Sequence, residues 1–173
     1  MISNFDSALI PKRAKKYFEA NRNVLVIEDD RTMSQMIGEM LDDAGFRVKT
    51  VTNGKAAFEM LQQRPINFIL LDLLLPEMDG FEIFSRLQLN PDTKDIPVMI
   101  VSAWADERKR EQGTRLGIRH FLLKPFTEDE LMFSILTLLV DTVRQDSHFS
   151  RYDDSSTSSI DRPLFATSGL SSS

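Results

Sequence analysis

Four apolar residues in unbroken succession, Val24-Leu25-Val26-Ile27, constrain the fold of this chain more than any other feature. A strand with one face in water alternates apolar and polar side chains, so a run with no polar member belongs to a strand covered on both faces. A different period follows at once. Met33, Met36, Ile37, Met40 and Leu41 fall on one helical stripe within 32–44, and Gly45 closes it. The alternation then repeats: strands are predicted over 46–51, 66–71, 97–101 and 120–123, and helices over 55–63, 81–89, 106–116 and 127–144. Pro65 stops the second helix, and Thr127 with Glu130 forms a capping box at the start of the last. Five strands alternating with five helices predict an α/β fold with a parallel five-stranded sheet, doubly wound through right-handed crossovers. In such sheets a ligand site lies beyond the carboxyl ends of the strands, at a switch point.

This rhythm occupies residues 23–145. Residues 1–22 form a basic extension in which Ala14, Tyr17, Phe18 and Ala20 have loosely helical spacing. Its lysines and arginine (Lys12, Arg13, Lys15, Lys16) precede no apolar stretch, so it does not read as a signal peptide. Residues 146–173 are rich in Ser, Thr and Asp and too poor in large apolar groups to offset their ordering entropy, so a disordered tail is expected there. The net charge of -5 gives no reason to expect nucleic-acid binding. The absence of cysteine excludes disulfides, thiolate metal sites and cysteine nucleophiles, and fits a reducing compartment. No apolar run approaches membrane-spanning length. The expectation is a cytoplasmic protein with neither nucleic acid nor membrane as partner.

Polar residues collect where the strands end. Glu28, Asp29 and Asp30 follow the first strand, Asp72 ends the third, Ser102 follows the fourth, and Lys124 follows the fifth just before Pro125. The topology brings all of them to one sheet edge. Converging carboxylates repel one another unless a cation neutralises them. Hard oxygen ligands with room for water suit Mg2+. A lysine and a hydroxyl beside them suit a phosphoryl group, one through charge and the other through a hydrogen bond. Asp30 reads at least as readily as a helix N-cap as it does as a metal contact.

The segments Ile27-Glu28-Asp29-Asp30, Leu71-Asp72-Leu73-Leu74-Leu75-Pro76-Glu77-Met78-Asp79-Gly80, Val101-Ser102-Ala103 and Leu123-Lys124-Pro125-Phe126 together resemble the four signatures of response-regulator receiver domains, over about 22–145. The resemblance is to a stand-alone, chemotaxis-regulator-like receiver of two-component signalling. It implies a flavodoxin-like (βα)5 fold and Mg2+-dependent phosphotransfer from a histidine kinase to Asp72. It further implies Mg2+ ligation by Asp29 directly, by Glu28 through water, by Asp72, and by the backbone carbonyl of Leu74. Ser102 would bond the phosphoryl oxygen, Lys124 would pair with it, and Phe121 matches the switch aromatic of the fifth strand. Phe121 reads equally well as a static core residue. The resemblance also implies a cis Lys124–Pro125 bond. Ser102 stands where the family more often has threonine, with the hydroxyl retained, and Gly117-Ile118-Arg119-His120 departs from the usual Gly-Ala-x-Asp.

Three classes of function compete. A phosphorylation switch with a protein–protein output is the first; within it, an effector and a relay intermediate passing phosphate to a histidine phosphotransfer protein remain open. An aspartyl-phosphate phosphatase needs an acid two residues after its nucleophile, and Leu74 stands there. A phosphate-independent binding module would have no need of Glu28, Asp29, Asp72, Ser102 and Lys124. No DNA-binding or enzymatic output domain is expected within these residues. The resemblance also implies that Leu74 and Trp104, two residues after the acceptor and two after the hydroxyl residue, flank the path of an attacking water, and so implies slow autodephosphorylation. The last helix carries more apolar residues than one core stripe needs, with Leu131, Ile135, Leu138 and Thr142 on one side and Met132, Leu136, Leu139 and Val143 near another. The surplus points to an output or homodimer face over the fourth helix, fifth strand and fifth helix, with Lys109, Arg110 and Arg115 setting register.

Overall fold

The computed structural model describes residues 19–20, 22–103 and 107–153, with side chains described as far as 145. Five strands, β1 (Asn23–Ile27), β2 (Arg47–Val51), β3 (Phe68–Leu71), β4 (Val98–Ser102) and β5 (His120–Leu123), alternate with α1 (Arg31–Asp43), α2 (Gly54–Gln63), α3 (Gly80–Leu89), α4 (Glu107–Arg115) and α5 (Glu128–Asp153). The sheet is wholly parallel in the order β2-β1-β3-β4-β5. The chain steps from β1 outward to β2 and returns on the other side of β1 to β3, so the switch point lies between the ends of β1 and β3. There Asp72 N donates to the carbonyl of Ile27 at 3.0 Å. The expected doubly wound α/β fold is what the chain adopts.

The unbroken apolar runs have the predicted cause. Val24, Val26, Phe68, Leu70, Met99 and Val101 pack on one face of the sheet with Ile37 and Leu41 of α1 and with Leu131, Ile135 and Leu138 of α5. Leu25, Ile27, Ile69, Leu71 and Ile100 pack on the other with Ala57 of α2 and Phe81, Ile83, Phe84 and Leu87 of α3. Alternate residues of each central strand serve opposite cores, which is why neither set is polar.

The helix starts follow local hydrogen-bonding chemistry. Asp30 caps α1 by accepting from Met33 N at 3.0 Å, Asn53 caps α2 through Ala56 N at 2.9 Å, and Asp79 caps α3 through Phe81 N at 2.9 Å. The capping box of α5 forms as expected: Thr127 N donates to Glu130 Oε2 at 2.8 Å and Glu130 N donates to Thr127 Oγ1 at 3.3 Å. The bond from Thr127 N, together with a second from Thr127 Oγ1 to Glu130 Oε2 at 3.0 Å, holds the Glu130 carboxyl below its ordinary value.

Some expectations are revised. Ser102 is the last residue of β4 rather than the first after it. β3 begins at Phe68, not at Ile66, which instead packs against the core beside α2 and α3. The last helix runs to Asp153, past the boundary at 145–146 where a disordered tail was expected to begin. Extending an existing helix costs far less than nucleating one, so a polar segment continues it. Residues 1–18 and 154–173, which hold most of the extension and the tail, lie outside the described residues. Both apolar sides of α5 contribute to the core. Leu131, Met132, Ile135, Leu138 and Leu139 are all buried, because a helix over the sheet beds a stripe wider than a single row. What remains outward is Phe133, 64% exposed, beside half-buried Leu136, Val140 and Val143.

Among the described residues, one non-glycine residue carries backbone strain. Glu77, between β3 and α3, has φ of 69°. For a side chain with a Cβ this left-handed conformation costs about 1–2 kcal/mol. Glu77→Gly removes that cost and adds about 0.5–1 kcal/mol of unfolded-state entropy loss. A net gain of roughly 0.5 kcal/mol in urea unfolding is expected; an equal or larger loss would contradict the strain assignment.

Candidate functional site

The carboxyl ends of β1 and β3 place their acids side by side. One carboxylate oxygen each from Glu28, Asp29 and Asp72 lies within 4.8 Å of the others. Glu28 and Asp72 are buried at 2% and 5% exposure, while Asp29 is exposed. Lys124, following β5, reaches across the sheet edge. Its Nζ lies 2.6 Å from Glu28 Oε2 and 2.5 Å from Asp72 Oδ2. The other Asp72 oxygen, Oδ1, accepts from Leu74 N at 2.9 Å, and Glu28 Oε1 accepts a longer bond of 3.4 Å from Asp30 N. Each Asp72 oxygen therefore has one partner of fixed direction.

The electrostatics follow from this crowding. Burial pushes the Glu28 carboxyl above its ordinary value, the Lys124 hydrogen bond opposes it, and the charge of Asp72 pushes the same way as burial. Burial acts to lower Lys124, but hydrogen bonds and attraction to Asp72 and Glu28 outweigh it and raise its pKa. Three carboxylates against one ammonium leave two negative charges unbalanced at a largely buried site. A divalent cation with a preference for hard oxygen donors fits that deficit, and Mg2+ is such a cation.

The remaining predicted residues are placed as follows. Ser102 is buried at the end of β4, and its carbonyl accepts from Lys124 N at 2.8 Å, which ties the β4 and β5 ends together. Leu74 is 43% exposed at the mouth, and its amide is directed at Asp72. Phe121 is half-buried behind the site and packs with the α3 side of the core. The Lys124–Pro125 bond is cis. Asp30 faces its helix as a cap. Trp104 lies outside the described residues. His120 stands apart, with Nε2 3.7 Å from Asp141 Oδ2; burial lowers its pKa and Asp141 opposes this.

Gly80 is a part of the site that residue chemistry alone did not single out. A Cβ there would fall 2.4 Å from the carbonyl oxygen of Asp72 and 2.7 Å from Leu73 Cα. The start of α3 thus presses directly on the acceptor's own peptide. The available signal was a glycine at a helix start directly after an N-cap aspartate.

Residues 24–136 match the family model of the response regulator receiver domain. Among characterised relatives, the phosphate regulon transcriptional regulatory protein PhoB of Rhizobium meliloti is 32% identical over 67% of this chain and 51% of its own length. The DNA-binding dual master transcriptional regulator RpaA of Synechocystis is 33% identical over 70% of this chain and 50% of its own. The chain thus spans about half the length of these relatives. Among solved structures, chemotaxis protein CheY4 of Vibrio cholerae superposes with a TM-score of 0.64 at 27% identity, over 67% of this chain and 97% of that one. The receiver domain of sensor histidine kinase PA1611 from Pseudomonas aeruginosa superposes at 0.63 with 26% identity over 69% of this chain and 98% of its own, and there a magnesium ion is coordinated in the active site cleft. Fold, motif positions and family match agree, and the chain belongs to the response regulator receiver domain family of two-component signalling.

Proposed function

We propose that Asp72 accepts a phosphoryl group from a histidine kinase and that the resulting acyl phosphate switches protein–protein contacts. The observation that carries this reading is the state of the Asp72 carboxylate: buried, held at both oxygens by Leu74 N and Lys124 Nζ, and set within a cluster of three acids. In the transfer, an Asp72 oxygen bonds to phosphorus and the bond from phosphorus to the donor imidazole breaks, the leaving nitrogen keeping the electron pair. Lys124, no longer opposite a free carboxylate, pairs with the new phosphoryl oxygens, and the Ser102 hydroxyl donates to one of them. Asp29, Glu28, Asp72 and the Leu74 carbonyl are the groups that would hold Mg2+, which supplies charge neutralisation to the incoming phosphate when bound.

No external substrate is turned over in this reading. Leu74, two residues beyond the acceptor, has no acid or base to offer, and its apolar side chain screens the phosphorus from in-line water. The output surface is assigned to α4, β5 and α5, where Phe133 and Leu123 are exposed at 64% and 50%, for a protein target or a second copy of the chain. No described helix is long and apolar enough to cross a membrane.

Asp29 separates metal binding from folding because it is exposed and outside the buried ion-pair network. Asp29→Ala is expected to leave thermal stability unchanged and to slow Mg2+-dependent labelling by acetyl phosphate about a hundredfold. Labelling at the parent rate would remove Asp29 from the ligand set.

A further inference from the structure

The attachment of α4 is peculiar. Glu107 to Arg115 contains no large apolar residue, and Gly113 is its one buried position. A helix ordinarily docks through an apolar stripe. Here the contact is inverted: the sheet supplies the ring and the helix supplies the space. A Cβ on Gly113 would lie 2.8 Å from Cζ and 3.0 Å from Cε1 of Phe121, and 3.2 Å from Cε1 of Phe81. The Phe121 ring therefore occupies the place a side chain at position 113 would take. Phe121 is opposite Ile100 in the β4–β5 register, two residues before Ser102, and three residues before Lys124. The ring lies between the helix and the two strands whose ends carry the hydroxyl and the lysine.

We propose that Gly113 is a positioning residue: it seats the Phe121 ring against α4 in the arrangement in which Lys124 pairs with the Asp72 carboxylate, and thereby sets the starting position of the switch. This rests on the reading of Asp72 as phosphoacceptor. Because α4 has no apolar side chain of its own to dock with, filling the seat displaces the ring or loosens the helix, and either change weakens that arrangement. A state that binds the phosphoryl group better then gains population, and by linkage the group binds more tightly.

The test uses the full chain with a fluorine-labelled phenylalanine at position 121 and beryllofluoride as phosphoryl mimic. In free Gly113→Ala the fluorine resonance is expected to move toward the position the parent adopts with beryllofluoride, and the beryllofluoride Kd to fall about fivefold or more. Alanine also raises helix propensity, so faster amide exchange in α4 of the variant would come from lost docking and not from a weaker helix. In a Phe121→Ala background the same substitution is expected to change Kd by less than about twofold, since the coupled partner is gone. An unchanged ring signal in free Gly113→Ala, or an equal Kd change with and without the ring, overturns the proposal. Should Gly113→Ala fail to fold, the Gly113→Ala, Phe121→Ala double variant must fold, and its failure also overturns it. A parent chain that binds no beryllofluoride would defeat the phosphoacceptor reading, while the ring signal of the free protein would still decide the seat.

Discussion

Asp72→Asn is expected to abolish labelling by acetyl phosphate while leaving a folded domain. The amide lacks the anionic oxygen that must bond to phosphorus. The other carboxylates of the cluster are held less closely: Glu28 shares Lys124 but accepts its backbone bond from Asp30 N at 3.4 Å, against 2.9 Å for Asp72 from Leu74 N, and Asp29 is exposed. Asparagine keeps the shape of the side chain, and its amide oxygen can still accept from Leu74 N, so packing is preserved. Lys124 loses one of its two charged partners but retains Glu28, which avoids leaving an uncompensated buried ammonium. The expected loss is at least about three orders of magnitude in labelling rate, the scale set by removing a reacting group rather than a neighbour of one. Labelling of Asp72→Asn at full stoichiometry would place the acceptor elsewhere.

Gly80→Ala is expected to be among the most damaging single-methyl additions in the domain. The new Cβ would sit 2.4 Å from the Asp72 carbonyl oxygen and 2.7 Å from Leu73 Cα, both backbone atoms at the end of a central strand. A flexible side chain could turn aside, but a backbone tied just past the strand end by the bond from Asp72 N to the Ile27 carbonyl yields far less. The bond from Gly80 N to the Leu73 carbonyl at 3.2 Å fixes the approach from the helix side. Overpacking of this kind costs about 3 kcal/mol, the upper end of the usual range. For a domain of this size that corresponds to a fall in Tm of roughly 10 °C. Relief by shifting the start of α3 also moves Asp72, so labelling should slow in the fraction that remains folded. A variant with parental Tm and parental labelling would mean the loop between β3 and α3 yields far more easily than its hydrogen bonds imply.

The fold was legible because its strands are buried on both faces. Val24 to Ile27 and Phe68 to Leu71 leave no polar position for a solvent-facing side, and that alone demands helices above and below. The site was legible for the same topological reason: strand ends in a parallel sheet share one edge, so Glu28, Asp29, Asp72 and Lys124 meet although 96 positions separate Glu28 from Lys124. What escaped sequence reading depends on contacts between elements. Nothing in the order of residues says that Gly113 is needed for close approach, and Gly80 is marked only by its place after an N-cap aspartate, since a glycine deep in a helix or at its start usually means only a weaker helix. How much of the α5 stripe is buried was not legible, because helical periodicity gives directions around an axis but not the depth to which the helix sinks into the sheet. Its C-terminal end was set too early because composition weighs against order in a segment that propagation from the docked part can sustain.

The phosphorylated form expected here carries phosphate on the Asp72 side chain. An acyl phosphate is reduced by borohydride to the corresponding alcohol, so treatment with acetyl phosphate and Mg2+, followed by borohydride and peptide mass mapping, marks the acceptor directly. Homoserine is expected at position 72, formed only when both acetyl phosphate and Mg2+ are present. Conversion at Glu28, Asp29 or any other acid in place of Asp72, or no conversion at any acid, would contradict it.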